Sequence, residues 1–214
     1  MELLFSQYFT ELLAVLSITI LTVIAPGPDF VIVVRNSLTY SSRAGICTAL
    51  GVSTAVWIHI FYTLAGIGFV LSQSIILFSI IKMLGSAYLV YLGIGCIRSK
   101  NGLQELQAVP ANKKISDIQS FKMGFINNAL NPKATLFFVS LFTQLVSPNT
   151  PLTIQLIYGA IVSASCLSWF TLVAIFLNRT QVKQAFQKAQ KPVERIMGAV
   201  LIGFGIKVAL STAR

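Results

Sequence analysis

The sequence predicts an all-α membrane protein with six transmembrane helices arranged as two inverted three-helix repeats, the first helix of each repeat broken at proline. Three observations lead there. The 214 residues are 55% hydrophobic and 10% charged, with a mean hydropathy of +0.79. A soluble domain carries about 25% charged residues, so this chain cannot cover a water-facing surface. Six apolar stretches approach or exceed the ~20 residues a helix needs to cross a bilayer. Two of them carry a proline break followed at once by a charge: Ala25-Pro26-Gly27-Pro28-Asp29-Phe30 and Asn131-Pro132-Lys133-Ala134.

In chain order, the stretches run from Tyr8 to Tyr40 (interrupted at the prolines), Ala44 to Val70, Ile75 to Ile97, Phe121 to Val146, Leu152 to Leu177 and Glu194 to Leu210. A short turn, Leu71 to Ser74, joins the second and third. Ser147-Pro148-Asn149-Thr150-Pro151 joins the fourth and fifth with clear turn chemistry. The polar segment from Ser99 to Gln119 contains Pro110 and reads as a linker, which divides the chain into residues 1–98, 99–119 and 120–214. Between Asn178 and Lys191, Val182, Ala185, Phe186 and Ala189 recur at helical spacing, with Lys183 and Lys188 turned away. That pattern suits a short amphipathic helix on the membrane surface, and a solvated loop fits the same residues.

Charge sets the orientation. Arg35 and Arg43 flank the first connection, and Arg98, Lys100, Lys113, Lys114 and Lys122 lie in or beside the third. Arg179, Lys183, Lys188, Lys191 and Arg195 occupy the fifth, while Lys82, Lys207 and Arg214 are exceptions on the other side. The positive-inside rule then puts the three basic connections in the cytoplasm and both termini in the periplasm of a bacterial inner membrane. The net charge of +10 lies between apolar segments, which argues against nucleic acid as a partner. Three helices per half is an odd number, so the second half enters from the opposite face. Both third helices also share features: Lys82 and Arg195 each precede a glycine by three, and Gly93/Gly95 and Gly203/Gly205 lie near the ends. Such inverted repeats with broken helices are the sequence mark of a secondary transporter's binding site.

The breaks explain why. Proline in a helix interior removes a donor and clashes with the preceding turn, at about 3 kcal/mol or more. In lipid the freed backbone groups survive only where protein, water or solute satisfies them. Gly27 and Asn131 suit the caps of helices restarting at Pro28 and Pro132. Both restarted N-termini then point toward the midplane and suit a carboxylate, while the freed carbonyls suit an ammonium. An amino acid presents both groups. Pro26, Gly27, Pro28, Asp29, Asn127, Asn128, Asn131, Pro132 and Lys133 are the expected substrate-binding residues. Charges near the bilayer centre mark a pathway or a functional pair by default. Asp29 and Lys133 can pair with each other and exchange partners when a zwitterion arrives, or they clamp the broken helices together. Asp29 and the lone histidine, His59, are the proton-relay candidates, although a histidine on an apolar face is commonly a hydrogen-bonded structural group.

Other features are quiet. Cys47, Cys96 and Cys166 lie in separate apolar segments without pairing motifs and read as small hydrophobes. Gly45/Ala49 and Gly51/Ala55 are small-residue pairs that suit close helix packing. The N-terminus, with Glu2 and no basic n-region, does not read as a cleaved signal peptide. No His-Glu-x-x-His, Gly-x-Ser-x-Gly or paired-cysteine motif is present, which weighs against an enzyme. No metal or cofactor is expected.

On these residues the chain resembles the LysE-type amino-acid exporters, in the homoserine/threonine efflux branch. Ala25 to Phe30 is similar to that family's Pro-Gly-Pro signature, and Gly124 to Ala134 to its Asn-Pro-Lys signature. Gly45 to His59, Gly85 to Gly93 and Gly203-Phe204-Gly205-Ile206 resemble its other helices. The resemblance implies export of amino acids or their derivatives from the bacterial cytoplasm, driven by proton entry. Threonine or homoserine is the leading substrate, and a leucine-like or basic amino acid is the alternative. Asp29 as the one carboxylate clearly at depth weighs against a basic substrate. A membrane assembly factor without transport and a passive channel are the rival classes. The partners are an amino acid, a proton and the lipid bilayer, and a homo-oligomer stays open.

Overall fold

The computed structural model describes residues 2–25, 27–73, 75–98, 114–145, 150–176 and 180–210. Among them every regular element is a helix: α1 (Glu2–Ile24), α2 (Pro28–Thr39), α3 (Ser42–Gln73), α4 (Ile75–Arg98), α5 (Asp117–Ala129), α6 (Pro132–Leu145), α7 (Leu152–Phe176) and α8 (Thr180–Leu210). Two of these contain spans long and apolar enough to cross a membrane, Ser42–Gly66 and Leu152–Phe176. The pair α1–α2, bent by 54° at its break, makes a third if taken as one span. Met83–Arg98 and Pro132–Phe142 are apolar but shorter.

Both proline breaks fall where the sequence places them. Two other boundaries differ. α5 starts at Asp117, inside the expected linker, because Ser116 and Gln119 form a reciprocal capping box with both bonds at 3.2 Å. The expected separate amphipathic helix after Asn178 is instead the first part of α8, which runs unbroken from Thr180 with Pro192 inside it. The residues around Pro192, Gln187 to Arg195, include strong helix formers and no glycine or turn residue. The loss of one backbone bond at Pro192 does not stop a helix so composed.

α3 is the central element and packs against α2, α5, α6 and α7, while α4 packs against α6 and α8. Glycines set the two closest approaches. A Cβ on Gly51 would collide with the Phe121 carbonyl, and one on Gly124 with the Thr48 carbonyl, so α3 and α5 touch backbone to backbone. Gly93 and Gly198 stand in the same reciprocal relation across α4 and α8, each within 2.6 Å of the other's carbonyl if a Cβ were added. Such small-residue contacts are what membrane helices use in place of a hydrophobic driving force. Gly45 likewise packs against Ala174 and Ser37.

The core is formed by Phe30, Val33 and Val34 of α2, Val52, Val56 and Ile60 of α3, Phe137, Phe138 and Phe142 of α6, and Tyr158, Val162 and Phe170 of α7. Buried polar groups join the helices: Ser37 Oγ donates to the Ala174 carbonyl at 2.6 Å, Ser140 Oγ to the Gly85 carbonyl at 3.0 Å, and the Tyr158 hydroxyl to Glu11 at 2.8 Å. Large apolar side chains such as Phe61 and Leu84 turn outward, at 60% and 66% exposure. An outer surface of this kind belongs in lipid. Cys166 is buried, whereas Cys47 and Cys96 are half-buried.

Candidate functional site

The two breaks meet. Gly27, in extended conformation (φ −166°, ψ −175°), caps α2, and Pro28 takes the first helical position, where its missing N–H costs nothing. At the second break Asn131 Oδ1 accepts the Lys133 backbone N–H at 2.9 Å, the side-chain cap expected of an asparagine there. α5 and α6 are thus separated by Leu130 and Asn131 alone.

Asp29, in the first turn of α2, points its carboxylate at the end of α5. Its Oδ1 accepts from Asn127 Nδ2 at 2.8 Å, and its Oδ2 from Asn128 Nδ2 at 3.0 Å and Asn131 Nδ2 at 2.8 Å. Three amide donors converge as a cradle on the carboxylate and leave about one of its acceptor sites open. Asn131 serves both helices, capping α6 with its oxygen and holding Asp29 of α2 with its nitrogen.

Lys133 reaches the other way. Its Nζ donates to the carbonyl of Ala25, at the C-terminal end of α1, at 3.4 Å. A Cβ on Gly27 would come within 3.0 Å of that nitrogen, so glycine leaves room for the lysine to lie across the first break. The two charges therefore do not pair with each other here: Asp29 is taken by amides and Lys133 by a carbonyl. An ammonium at the negative end of α1 is well placed electrostatically.

His59 performs the matching service for α5. Its Nε2 lies 2.9 Å from the Asn128 carbonyl, and its Nδ1 lies 2.7 Å from the Tyr62 hydroxyl. A carbonyl only accepts, so Nε2 carries the hydrogen and Nδ1 faces Tyr62. The ring stacks on Phe138 at 5.4 Å, nearly parallel. Each broken helix thus has a carbonyl near its C-terminal end held by a nitrogenous side chain from elsewhere in the fold.

These residues line two spaces that share Gly27, Pro28 and Lys133. The inner cavity, about 50 Å³, is bounded by Thr22, Asp29, Asn128, Asn131 and Lys133, and by an apolar wall that includes Val56, Phe137, Phe138 and Val162. A water needs at least about 10–15 Å³, so this cavity admits a few waters. Thr22 Oγ1 and Asn128 Oδ1, both buried, have no hydrogen-bond partner among the described residues. The outer vestibule, about 570 Å³, is bounded by Tyr91, Cys96, Arg98 and Glu194 in addition to the shared residues. Ligand pockets fall within roughly 300–1,000 Å³.

Of the expected site residues, the structure brings together Gly27, Pro28, Asp29, Asn127, Asn128, Asn131, Pro132, Lys133 and His59, while Pro26 lies outside the described residues. Glu194, Thr22, Tyr62 and Tyr88 were not anticipated. Glu194 is 3% exposed and lines the vestibule, so Asp29 is not the one carboxylate at the site. The Tyr88 hydroxyl lies 3.5 Å from the Lys133 carbonyl. Thr22 sits one helical turn before the first break, a spacing readable from sequence. Among the described residues, no group of three His, Cys, Asp or Glu side chains is placed to hold a metal.

Residues 20–212 match the LysE type translocator family, a span that includes both breaks. The chain belongs to that family. It is accordingly a membrane transport protein and not an enzyme. Over 208 residues it is 34% identical to the uncharacterized membrane protein YrhP of Bacillus subtilis, covering 94% of this chain and 99% of that one. It is 28% identical over 200 residues to the threonine efflux protein of Escherichia coli K12, covering 93% and 97%, and 27% identical over 193 residues to that of Salmonella typhi, covering 90% and 94%. No solved structure matches the chain.

Proposed function

We propose that this translocator is a secondary active exporter of small neutral or hydroxylated amino acids, of the threonine/homoserine type, coupled to proton entry. The observation that carries the reading is the convergence of Asp29, its three asparagines and Lys133 where the two breaks meet. A zwitterion offers each of these groups a better partner than the one it has. The substrate carboxylate takes Lys133 Nζ from the Ala25 carbonyl, and the ammonium takes that carbonyl together with Asp29. Thr22 Oγ1 and Asn128 Oδ1 supply hydrogen bonds for a hydroxylated side chain. The relatives named threonine efflux proteins support the same substrate class.

In this reading the chain crosses a bacterial inner membrane six times. α1–α2, α3 and α4 form one repeat, and α5–α6, α7 and α8 form the inverted second. Residues 99–119 are cytoplasmic and both termini periplasmic, following the basic connections. Asp29 or His59 carries the coupling proton; through the Asn128 carbonyl and the Asn128–Asp29 bond the two are linked by one residue. A leucine-like substrate is the second reading, favoured by the valines and phenylalanines that wall the inner cavity.

Counterflow in proteoliposomes tests both. Vesicles preloaded with unlabelled threonine or homoserine should accumulate labelled threonine faster than vesicles preloaded with lysine. Faster uptake of label with leucine inside would favour the second reading, and no exchange with any amino acid would remove the exporter assignment.

A further inference from the structure

The cavity between the breaks has to widen, with Lys133 leaving the Ala25 carbonyl, before it admits an amino acid, whereas the vestibule already has room for one. The vestibule is bounded by two cations, Arg98 and Lys133, and by Glu194, whose side chain is almost wholly buried. Glu194 also takes part in an interaction within the protein. Lys133, Glu194 and Cys96 line this same space, so opposite charges and a thiol border it together. A buried carboxylate and two cations lining one cavity complement an ammonium and a carboxylate carried on one carbon. Lys133 belongs to both spaces and stands between them.

We infer that the vestibule is a second, outer amino-acid site, in which Glu194 takes the substrate ammonium and Arg98 or Lys133 takes its carboxylate. The inference rests on the exporter reading above and adds a waiting position to it. From there the substrate passes inward when Lys133 swings from the Ala25 carbonyl with the carboxylate attached. Since a single charge-assisted hydrogen bond of about 1.5 kcal/mol or more is removed, Glu194→Gln raises the export KM about tenfold. The kcat is little changed, because the inner site is intact.

The native cysteines make the two sites separately readable. Cys96 lines the vestibule, Cys166 lines the inner cavity, and Cys47 lines neither. The full-length protein in detergent is alkylated with N-ethylmaleimide, and each cysteine is followed by peptide mass spectrometry. Threonine should slow modification of Cys96 and leave Cys47 unchanged. N-acetylthreonine, which keeps the carboxylate but has no ammonium, should not protect. Protection of Cys96 should persist in Asp29→Asn and vanish in Glu194→Gln. Should Glu194→Gln fail to fold, the N-acetylthreonine and Asp29→Asn measurements still decide. Export without Cys96 protection, protection by N-acetylthreonine, or protection that is lost in Asp29→Asn would overturn the outer site. A protein that exchanges no amino acid instead sinks the exporter reading itself.

Discussion

Asp29 can be replaced in two ways that differ sharply in cost. In Asp29→Ala the three amides that converge on the carboxylate lose their acceptor. Asn128 and Asn131 are each 3% exposed and out of reach of bulk solvent, with only the few waters of the small inner cavity beside them, whereas Asn127 is half-buried and has solvent within reach. A stranded buried donor costs about 1–3 kcal/mol, which puts the two at about 2–6 kcal/mol together. That is a large share of the roughly 5–15 kcal/mol that holds a domain folded. Asp29→Asn keeps the shape. Its amide oxygen can face Asn128 and Asn131, and its nitrogen can face Asn127, whose own amide flips to accept. Only the charge assistance is lost. The expected order of melting temperature in detergent is wild type, then Asp29→Asn within a few degrees, then Asp29→Ala far below. Amino-acid counterflow should be lost in Asp29→Asn although the protein is folded. An alanine variant that melts with the wild type would show that the cradle holds nothing together, and full counterflow in the asparagine variant would show that the charge is not used.

Because Asp29 and Lys133 have separate partners, Asp29→Asn combined with Lys133→Met should stay folded and not transport; restored export in the double variant would make the pair a clamp after all. Pro28→Ala and Pro132→Ala should leave the protein inserted, since alanine favours helix, yet abolish exchange, and normal exchange in both would reduce the prolines to incidental kinks. Reporter tags at both termini should read as periplasmic and one after Lys113 as cytoplasmic; a cytoplasmic terminus would undo the span count or the orientation. At the N-terminal ends of α3 and α5, Arg43 grips Asp117 through Nε at 3.1 Å and Nη2 at 2.7 Å and holds its carboxyl below the usual carboxylate range. A depressed acid stabilises the fold above its ordinary pKa and loses that contribution as pH falls through the lowered value. Wild type and Asp117→Asn should therefore differ slightly in melting temperature at neutral pH, as befits an exposed pair, and converge in acid below about pH 4; a gap that widens in acid would contradict this.

The breaks were legible because proline, glycine and asparagine state their backbone requirements locally. Gly27 and Asn131 cap the helices they precede, as their chemistry demands. What these residues reach was not legible. Asp29 and Lys133 follow their prolines at matching positions, which invites pairing them, yet helix direction sends one to the end of α5 and the other to the end of α1. Asn127, Asn128 and Asn131 were recognisable as a polar cluster on one helix end, but their shared acceptor is about a hundred residues away in the chain. Glu194 escaped notice because it stands beside Arg195 at the edge of an apolar run, where a charge ordinarily faces the interface. Its burial depends on α4 lying against α8 through Gly93 and Gly198, a contact that no local pattern announces.

The glycine contacts also divide the labour within a single broken helix. α5 is locked to α3 by Gly51 and Gly124, whereas α6 is joined to α4 through the Ser140–Gly85 bond, and α4 in turn is locked to α8. Both pieces also pack on α3, so they share one partner and differ in their second. Leu130 and Asn131, the two residues of the joint between α5 and α6, are the kind of element-terminal position at which hinges form. Asn131 is the joint's own residue and also a holder of Asp29. Displacing Asp29 from its cradle removes one of the two side-chain bonds made by Asn131, so the cradle and the joint share that residue.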